Sequence, residues 1–491
     1  MNSLYNLGPE PIWRYFEEIC EIPRLSKNED KIRKYLIEFA ARHRLESKED
    51  EVGNILIIKP ASRGFENKKP IVLQSHMDMV GEKNADNPHN WLEDPIVPYI
   101  REEWVAARGT TLGADDGIGI AVQLALLSDS EIRTGRIECL FTVDEESGMT
   151  GAINLKPDFF TGRILINLDS EDEGILFIGC AGGMDTLITM DYLPVKVPEG
   201  FEAFDISVTG LHGGHSGDEI HKGYANSVKI MTRLLSSLST QYEALVSRFD
   251  GGNLRNAIPR EAFATIYANP FFSIEIQKSV SEFSRTMKDE YGTLEPEMKI
   301  SIRQGTLHGN AMDKESQNRL LSALTACPHG VVSWSKEMEN LVETSSNLAS
   351  VKFIEDNKIR IITTQRSSIE SSKHDISSTV EACFRLAGAE VQMTDGYPGW
   401  KPNITSEILR VTRESYKRLF GKEPLVRAIH AGLECGLIYE KDRNMDMISF
   451  GPTIRGAHTP EEMISIETVR MFWDLLLDVI ANIPEEKANQ N

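Results

Sequence analysis

The sequence is short of the features that mark membrane, secreted and nucleic-acid-binding proteins. No stretch approaches the ~20 consecutive apolar residues that a spanning helix requires. Cysteine is sparse: the six residues (Cys20, Cys139, Cys180, Cys327, Cys383, Cys435) are scattered over 491 positions with no CxxC pair. A disulfide framework is unnecessary in so long a chain, so a reducing compartment is expected. A basic surplus is also missing, because 53 Lys and Arg face 74 Asp and Glu, for a net charge of −21. Phosphate binding needs clustered cations, so a nucleic-acid partner is not expected. The first residues, MNSLYNLGPEPIWRYFEEIC, lack a basic region followed by an apolar one and do not read as a signal peptide. These absences predict a soluble cytoplasmic protein with no membrane partner.

What is present is ordinary for a globular protein, at 41% apolar and 26% charged residues. The length exceeds what one compact core holds, so two domains, or one interrupted by another, are expected. The acidic surplus suits cation binding.

Helical spacing of apolar residues predicts helices over 11–22 and 30–43. Short apolar runs at 54–58, 71–73, 136–143 and 163–168, with a helical stretch at 117–127, predict an α/β sheet whose active loops sit at strand ends. Near 194–200 the punctuation changes, and a strand (203–208), a Gly-rich turn and a long helix (224–238) open an α+β unit. A similar order of strand, helix and hairpin recurs over 298–364, hinting at a doubled inserted domain. After 395–399 the α/β rhythm returns. The expected organisation is a catalytic α/β domain in two parts, 1–190 and 398–491, interrupted by an α+β lid over 191–397.

Five fragments carry metal-capable residues. In Leu73-Gln-Ser-His76-Met-Asp78, residues two apart in a strand share a face, and a carboxylate beside an imidazole fixes the ring's tautomer. Alone, such a pair is commonly a structural hydrogen bond. GTTLGADDGIG places Asp115 and Asp116 in a sharp turn before a helix; Asp116 reads as a cap or a solvated acid, and Asp115 as a ligand only in company. Phe141-Thr-Val-Asp144-Glu145-Glu146 closes an apolar strand with three acids, which is unfavourable unless a cation offsets their repulsion. The fourth fragment ends in Asp169, and the fifth, a Gly/Pro-rich loop, carries His458. Two imidazoles and three carboxylates suit zinc, and two zinc ions ~3.5–4 Å apart form a hydrolytic arrangement.

In the order His-x-Asp, Asp, Glu-Glu, Asp, His, these fragments resemble the zinc exopeptidase family that includes carnosinases, bacterial dipeptidases, acetylornithine deacetylase and glutamate carboxypeptidase. GTTLGADDGIG, GGHSGDEIHKGYAN and HAGLECG are similar to its bacterial aminoacyl-histidine dipeptidase branch. One departure is Asp116, where the family pattern has Asn. The resemblance implies a zinc-exopeptidase-like α/β domain with an inserted α+β lid, and two Zn2+ ions, with Mn2+ or Co2+ as substitutes. It implies that His76 and Asp169 hold one ion, Glu146 and His458 the other, and Asp115 both. Asp78 would orient His76. Glu145 would be the general base on a water held between the ions. His215 would face the developing oxyanion, while Asn256 and Arg366 would clamp the substrate's carboxylate. A surface Arg after a hairpin strand is the plainer reading of Arg366.

Glu434, at an expected helix start, is assigned the substrate's free amine; an acid favouring a helix N-terminus is the alternative. The expected activity is hydrolysis of unblocked dipeptides, Xaa-His and β-alanyl-His included. An N-acyl amino-acid deacylase of the same fold and a non-catalytic zinc or peptide binder are the rivals. A homodimer stays open. The other histidines, His430 among them, read as surface or packing residues.

Overall fold

Helices α1 (Glu10–Cys20) and α2 (Asp30–Arg42) open the computed structural model, which describes residues 4–486. They bury one apolar stripe each: Ile12, Trp13, Phe16 and Ile19 on α1, Ile32, Leu36 and Phe39 on α2. Strands β1 (Glu46–Glu49), β2 (Ile55–Lys59) and β3 (Ile71–His76) follow, then α3 (Ala114–Ser128), β4 (Ile137–Thr142), the one-turn α4 (Glu145–Gly148), β5 (Ile164–Asn167) and β6 (Ile175–Cys180).

The next segment supplies β7 (Gly182–Asp191), β8 (Glu202–Thr209), α5 (Ser227–Tyr242), β9 (Leu245–Gly251), β10 (Ala262–Ala268), α6 (Ser273–Tyr291) and β11 (Lys299–Gln304). It continues through α7 (Lys314–Ala326), β12 (Val342–Ile354), β13 (Lys358–Ser367), α8 (Glu370–Leu386) and β14 (Glu390–Met393). Helix α9 (Glu407–Phe420), β15 (Leu425–Ile429), α10 (Glu434–Lys441), β16 (Asp446–Ser449) and α11 (Ile466–Ala481) close the chain.

The first sheet has the order β1-β2-β4-β3-β5-β16-β6-β15. Its centre, β4-β3-β5-β16, is parallel. Every residue of β2, β3, β4 and β5 is buried, which explains why these strands read as continuous apolar runs rather than alternating ones. After β3 the chain moves to one neighbour (β4) and then to the other (β5). Such a switch point opens a crevice at the carboxyl ends of the strands.

The chain divides into two compact units. One comprises residues up to Gly179, Trp400–Ala428 and the chain from Leu433; the other is Cys180–Gly399 with Ile429–Gly432. The first boundary thus lies at 179/180, where the sequence suggests 190/191, because β7 pairs along its whole length with β13 in the second unit's sheet. The return lies at 399/400, where the sequence suggests 397/398, and the short excursion 429–432 has no counterpart in the expected domains.

The second unit's sheet has the order β14-β7-β13-β12 joined to β9-β10-β8-β11 through a β12–β9 pair. Each half contains a βαββαβ arrangement with the same order of strands, and in the second half a further short strand, Gly330–Trp334, pairs with β12. Its core is formed by Leu234, Leu235 and Leu238 of α5, Leu320 and Leu324 of α7, and the inward residues of the strands, Phe249 and Ile361 among them.

Candidate metal centre and active site

His76 ends β3, and its ring is almost fully buried. The Nε2 atom lies 3.0 Å from Asp115 Oδ1 and 3.5 Å from Asp169 Oδ1. The other ring nitrogen, Nδ1, faces Asp78, 3.4 Å from Oδ1. On the far side of Asp115, Oδ2 is 3.2 Å from His458 Nε2, which in turn is 3.0 Å from Glu146 Oε2. Each oxygen of one carboxylate therefore meets a different imidazole. Five residues from five separate stretches converge: the end of β3, the turn into α3, the start of α4, the residue two past β5, and a loop beyond β16.

Local structure explains the convergence. Asp169 and Glu146 follow the carboxyl ends of parallel strands, where the switch point opens. Asp144 and His458 adopt left-handed backbone, with φ of 55° and 62°, so the chain turns sharply beside each ligand-bearing position. Asp78 does more than hold the ring. Its Oδ1 accepts the amide of Glu145 (3.0 Å), and its Oδ2 accepts the amide of Glu146 (3.1 Å) and the hydroxyl of Ser26 (2.8 Å). One buried carboxylate thus places the imidazole and both acids of α4.

The electrostatics are those of a crowded acidic site. Burial raises the proton affinity of Asp169, and Asp115 adds to this while His76 opposes it. Glu145 is raised by burial, which His76 opposes and the carboxylates of Asp169, Glu434 and Glu146 reinforce. Asp115 moves the other way: burial works against its charge, but His458 and His76 hold it low. Hydrogen bonds to Asp115 and Glu146 lift His458 to about 11. Asp78 is held at about 2 by His76, Ser26 and the Glu145 amide despite burial.

The donors fit a metal. His76 with Asp169 and Asp116, His76 with Glu145 and Glu146, and Asp115 with Glu146 and His458 each offer ligand atoms within 4.8 Å of one another. Glu146 Oε1 is buried without a hydrogen-bond partner. Nitrogen and oxygen donors of this kind suit zinc and its neighbours.

A family model described as peptidase family M20/M25/M40 matches residues 72–482. The chain belongs to that family. It is a metal-dependent hydrolase of peptide bonds. Over 99% of this chain and 100% of the other, the family member shares 43% identity with the cytosol non-specific dipeptidase of Escherichia coli (strain K12). The aminoacylhistidine dipeptidase of Vibrio alginolyticus superimposes with a TM-score of 0.93 at 42% identity, covering 99% of both chains. Aminopeptidase PepT of Bacillus cereus ATCC 10987 is 17% identical with a TM-score of 0.58, covering 97% of this chain and 99% of that one, and shares the fold.

The remaining residues singled out in the sequence are placed as follows. Asp116 is buried, not solvated: it accepts the His76 amide (3.2 Å) and caps α3 through the Gly119 amide (3.3 Å). Glu434 opens α10 and is fully buried. Its Oε2 accepts Gln74 Nε2 (2.7 Å) and the Thr142 hydroxyl (2.6 Å), its Oε1 has no partner, and burial raises it to about 7.

In the second unit, His215 Nδ1 lies 3.1 Å from Asp218. Asn256 is exposed, and its carbonyl accepts the Ser216 amide (2.8 Å). Arg366 lies within β13 and is 6% exposed, so the surface reading is overturned. Its Nη1 donates to the Tyr397 hydroxyl (2.7 Å), and its Nε is buried and unpartnered. His430, read as a surface or packing residue, is buried, with Nε2 2.7 Å from Ser345 Oγ.

Sequence reasoning missed the grip of Asp78 on α4 and the burial of Arg24 and Glu462 against loop backbone. Only the Thr-Pro-Glu-Glu run after His458 offered a signal.

Proposed function

We propose that this chain is a two-zinc dipeptidase of the cytoplasm that cleaves unblocked dipeptides, Xaa-His and β-alanyl-His among them. The observation that carries the reading is Asp115, whose two oxygens meet the Nε2 atoms of His76 and His458. In this reading His76 and Asp169 hold one zinc, His458 and Glu146 the other, and Asp115 both. When bound, the pair supplies Lewis-acid polarisation of the scissile carbonyl and a lowered pKa for the attacking water.

The chain's own groups do the rest. Asp78 keeps the His76 ring in one orientation. Glu145 takes the proton from the water that attacks the peptide carbon and hands it to the departing amine nitrogen. His215 donates to the carbonyl oxygen as negative charge develops. Arg366 and Asn256 take the substrate's carboxylate, and the unpartnered Oε1 of Glu434 takes the free α-ammonium. With both ends held, two residues is the longest substrate accepted. The names of the family relatives, one a cytosol dipeptidase and one an aminoacylhistidine dipeptidase, support the substrate class and the compartment.

The test is a dipeptide panel that includes Ala-His and β-alanyl-His, run beside N-acetylated counterparts and with metal analysis of the purified protein. Cleavage of the free dipeptides, abolished by chelator and restored by zinc, is expected. Efficient cleavage of the blocked forms would favour the deacylase instead. Glu434→Ala should lose activity selectively on free dipeptides.

A further inference from the structure

Loop 112–115 carries Asp115, and its backbone is gripped by two buried charges that none of the assigned roles uses. Glu462 is 2% exposed. Its Oε2 accepts the amides of Leu112 (2.8 Å) and Gly113 (3.0 Å), and its Oε1 accepts those of Ala114 (2.7 Å) and Asp115 (3.3 Å). A carboxylate has about four acceptor sites, so this one is fully occupied by backbone. Nothing is left for a metal or a substrate. Arg24, 3% exposed, donates from Nη1 to the carbonyls of Met77 (3.0 Å) and Asp78 (2.7 Å) and from Nη2 to the carbonyl of Gly113.

The glycines of the motif make room for that guanidinium. Gly113 has φ of +68°, and a Cβ there would lie 2.7 Å from Arg24 Nη2; a Cβ at Gly117 would lie 2.6 Å from the same atom. Arg24 also precedes the stretch that the family model matches, residues 72–482.

We infer that Arg24 and Glu462 are positioning residues that join the three ligand-bearing loops through their backbones and thereby set Asp115 between the two zinc sites. Arg24 ties the His76–Asp78 loop to the Asp115 loop. Glu462, four residues after His458, ties the Asp115 loop to the His458 loop. A buried charge bound only to backbone groups acts on where Asp115 stands, not on its chemistry. The inference rests on the two-zinc reading.

Glu462→Gln is nearly isosteric and turns part of the acceptor surface into an N–H donor facing amides. The expected result is a fall of about 10–100-fold in affinity for the second zinc, the scale seen when outer partners of metal ligands are removed. The visible spectrum of the cobalt-substituted protein should change. Turnover should fall through kcat, with KM moved by less than about twofold. A purely structural role would lower the melting temperature of the metal-free protein but leave zinc affinity and the cobalt spectrum unchanged, and that outcome overturns the inference.

Arg24→Lys, which keeps the charge but loses the planar fork, is measured the same way. It decides the matter where Glu462→Gln does not fold: reduced zinc affinity supports the inference, and wild-type affinity with a wild-type cobalt spectrum overturns it. A wild-type protein that binds fewer than two zinc ions would remove the two-zinc reading and the inference with it. Two ions in wild type and unchanged binding in the variants would remove the inference alone.

Discussion

Glu145 and Glu146 sit side by side at the start of a one-turn helix, yet their environments differ. Glu146 reaches His458, whereas burial raises the proton affinity of Glu145, against His76 and with the charges of Asp169, Glu434 and Glu146. Replacing Glu145 by Gln removes the base while keeping its size. Steady-state assays should then show kcat lowered by about 10²–10⁴-fold, with zinc content unchanged; undiminished turnover contradicts the assignment. The candidates His76, Asp115, Glu146, Asp169 and His458 were legible chiefly through the family resemblance; the acid-ended apolar strands and the Gly-rich loops marked the positions, and the resemblance joined them into one set. Arg24 and Glu462 were not. Their partners are backbone groups far away in sequence, and such bonds leave no trace in spacing or composition.

At the scale of elements, helix α5 is held by a cap that also crosses to a strand. The Asn226 side chain accepts the amides of Val228 (2.9 Å) and Lys229 (3.2 Å) and donates to the Leu348 carbonyl of β12 (2.9 Å). Asn226→Ala removes the cap and leaves the buried Leu348 carbonyl short of a partner. The expected loss is about 1–3 kcal/mol, read as a lower urea midpoint; an unchanged midpoint contradicts it. Helices α1 and α2 were readable to within two residues at each end, because each carries an apolar stripe at helical spacing. The doubled architecture of the second unit was only hinted at. Its second half takes its first strand, β7, from before the first half, so the repeat is not consecutive in the chain and no fixed period appears.

For the molecule as a whole, acid and metal removal act on different units. His430, buried in the second unit beside Ser345, has its pKa pushed down to about 3 by burial, helped by the charge of Arg366. In the unfolded chain the ring takes its proton near pH ~6.5. The unfolded state therefore binds more protons between those limits. The contribution of the neutral ring is complete above pH ~6.5 and is lost as pH falls toward about 3. Urea melts of wild type and His430→Asn should differ in acid sensitivity by roughly 2–3 kcal/mol between about pH 7 and 4.5, wild type being the more sensitive; parallel losses contradict this.

In the first unit, chelation should lower the melting temperature, because carboxylates that share cations would face one another. Zinc at 100 times its dissociation constant should restore about 2.7 kcal/mol per site.

The most direct measurement is zinc content and affinity in active wild-type protein beside Asp115→Asn. Two ions per wild-type chain, with both sites weakened and activity lost in the variant, is the predicted result. Full activity with fewer than two ions, or a variant that binds both as tightly as wild type, would contradict a shared Asp115.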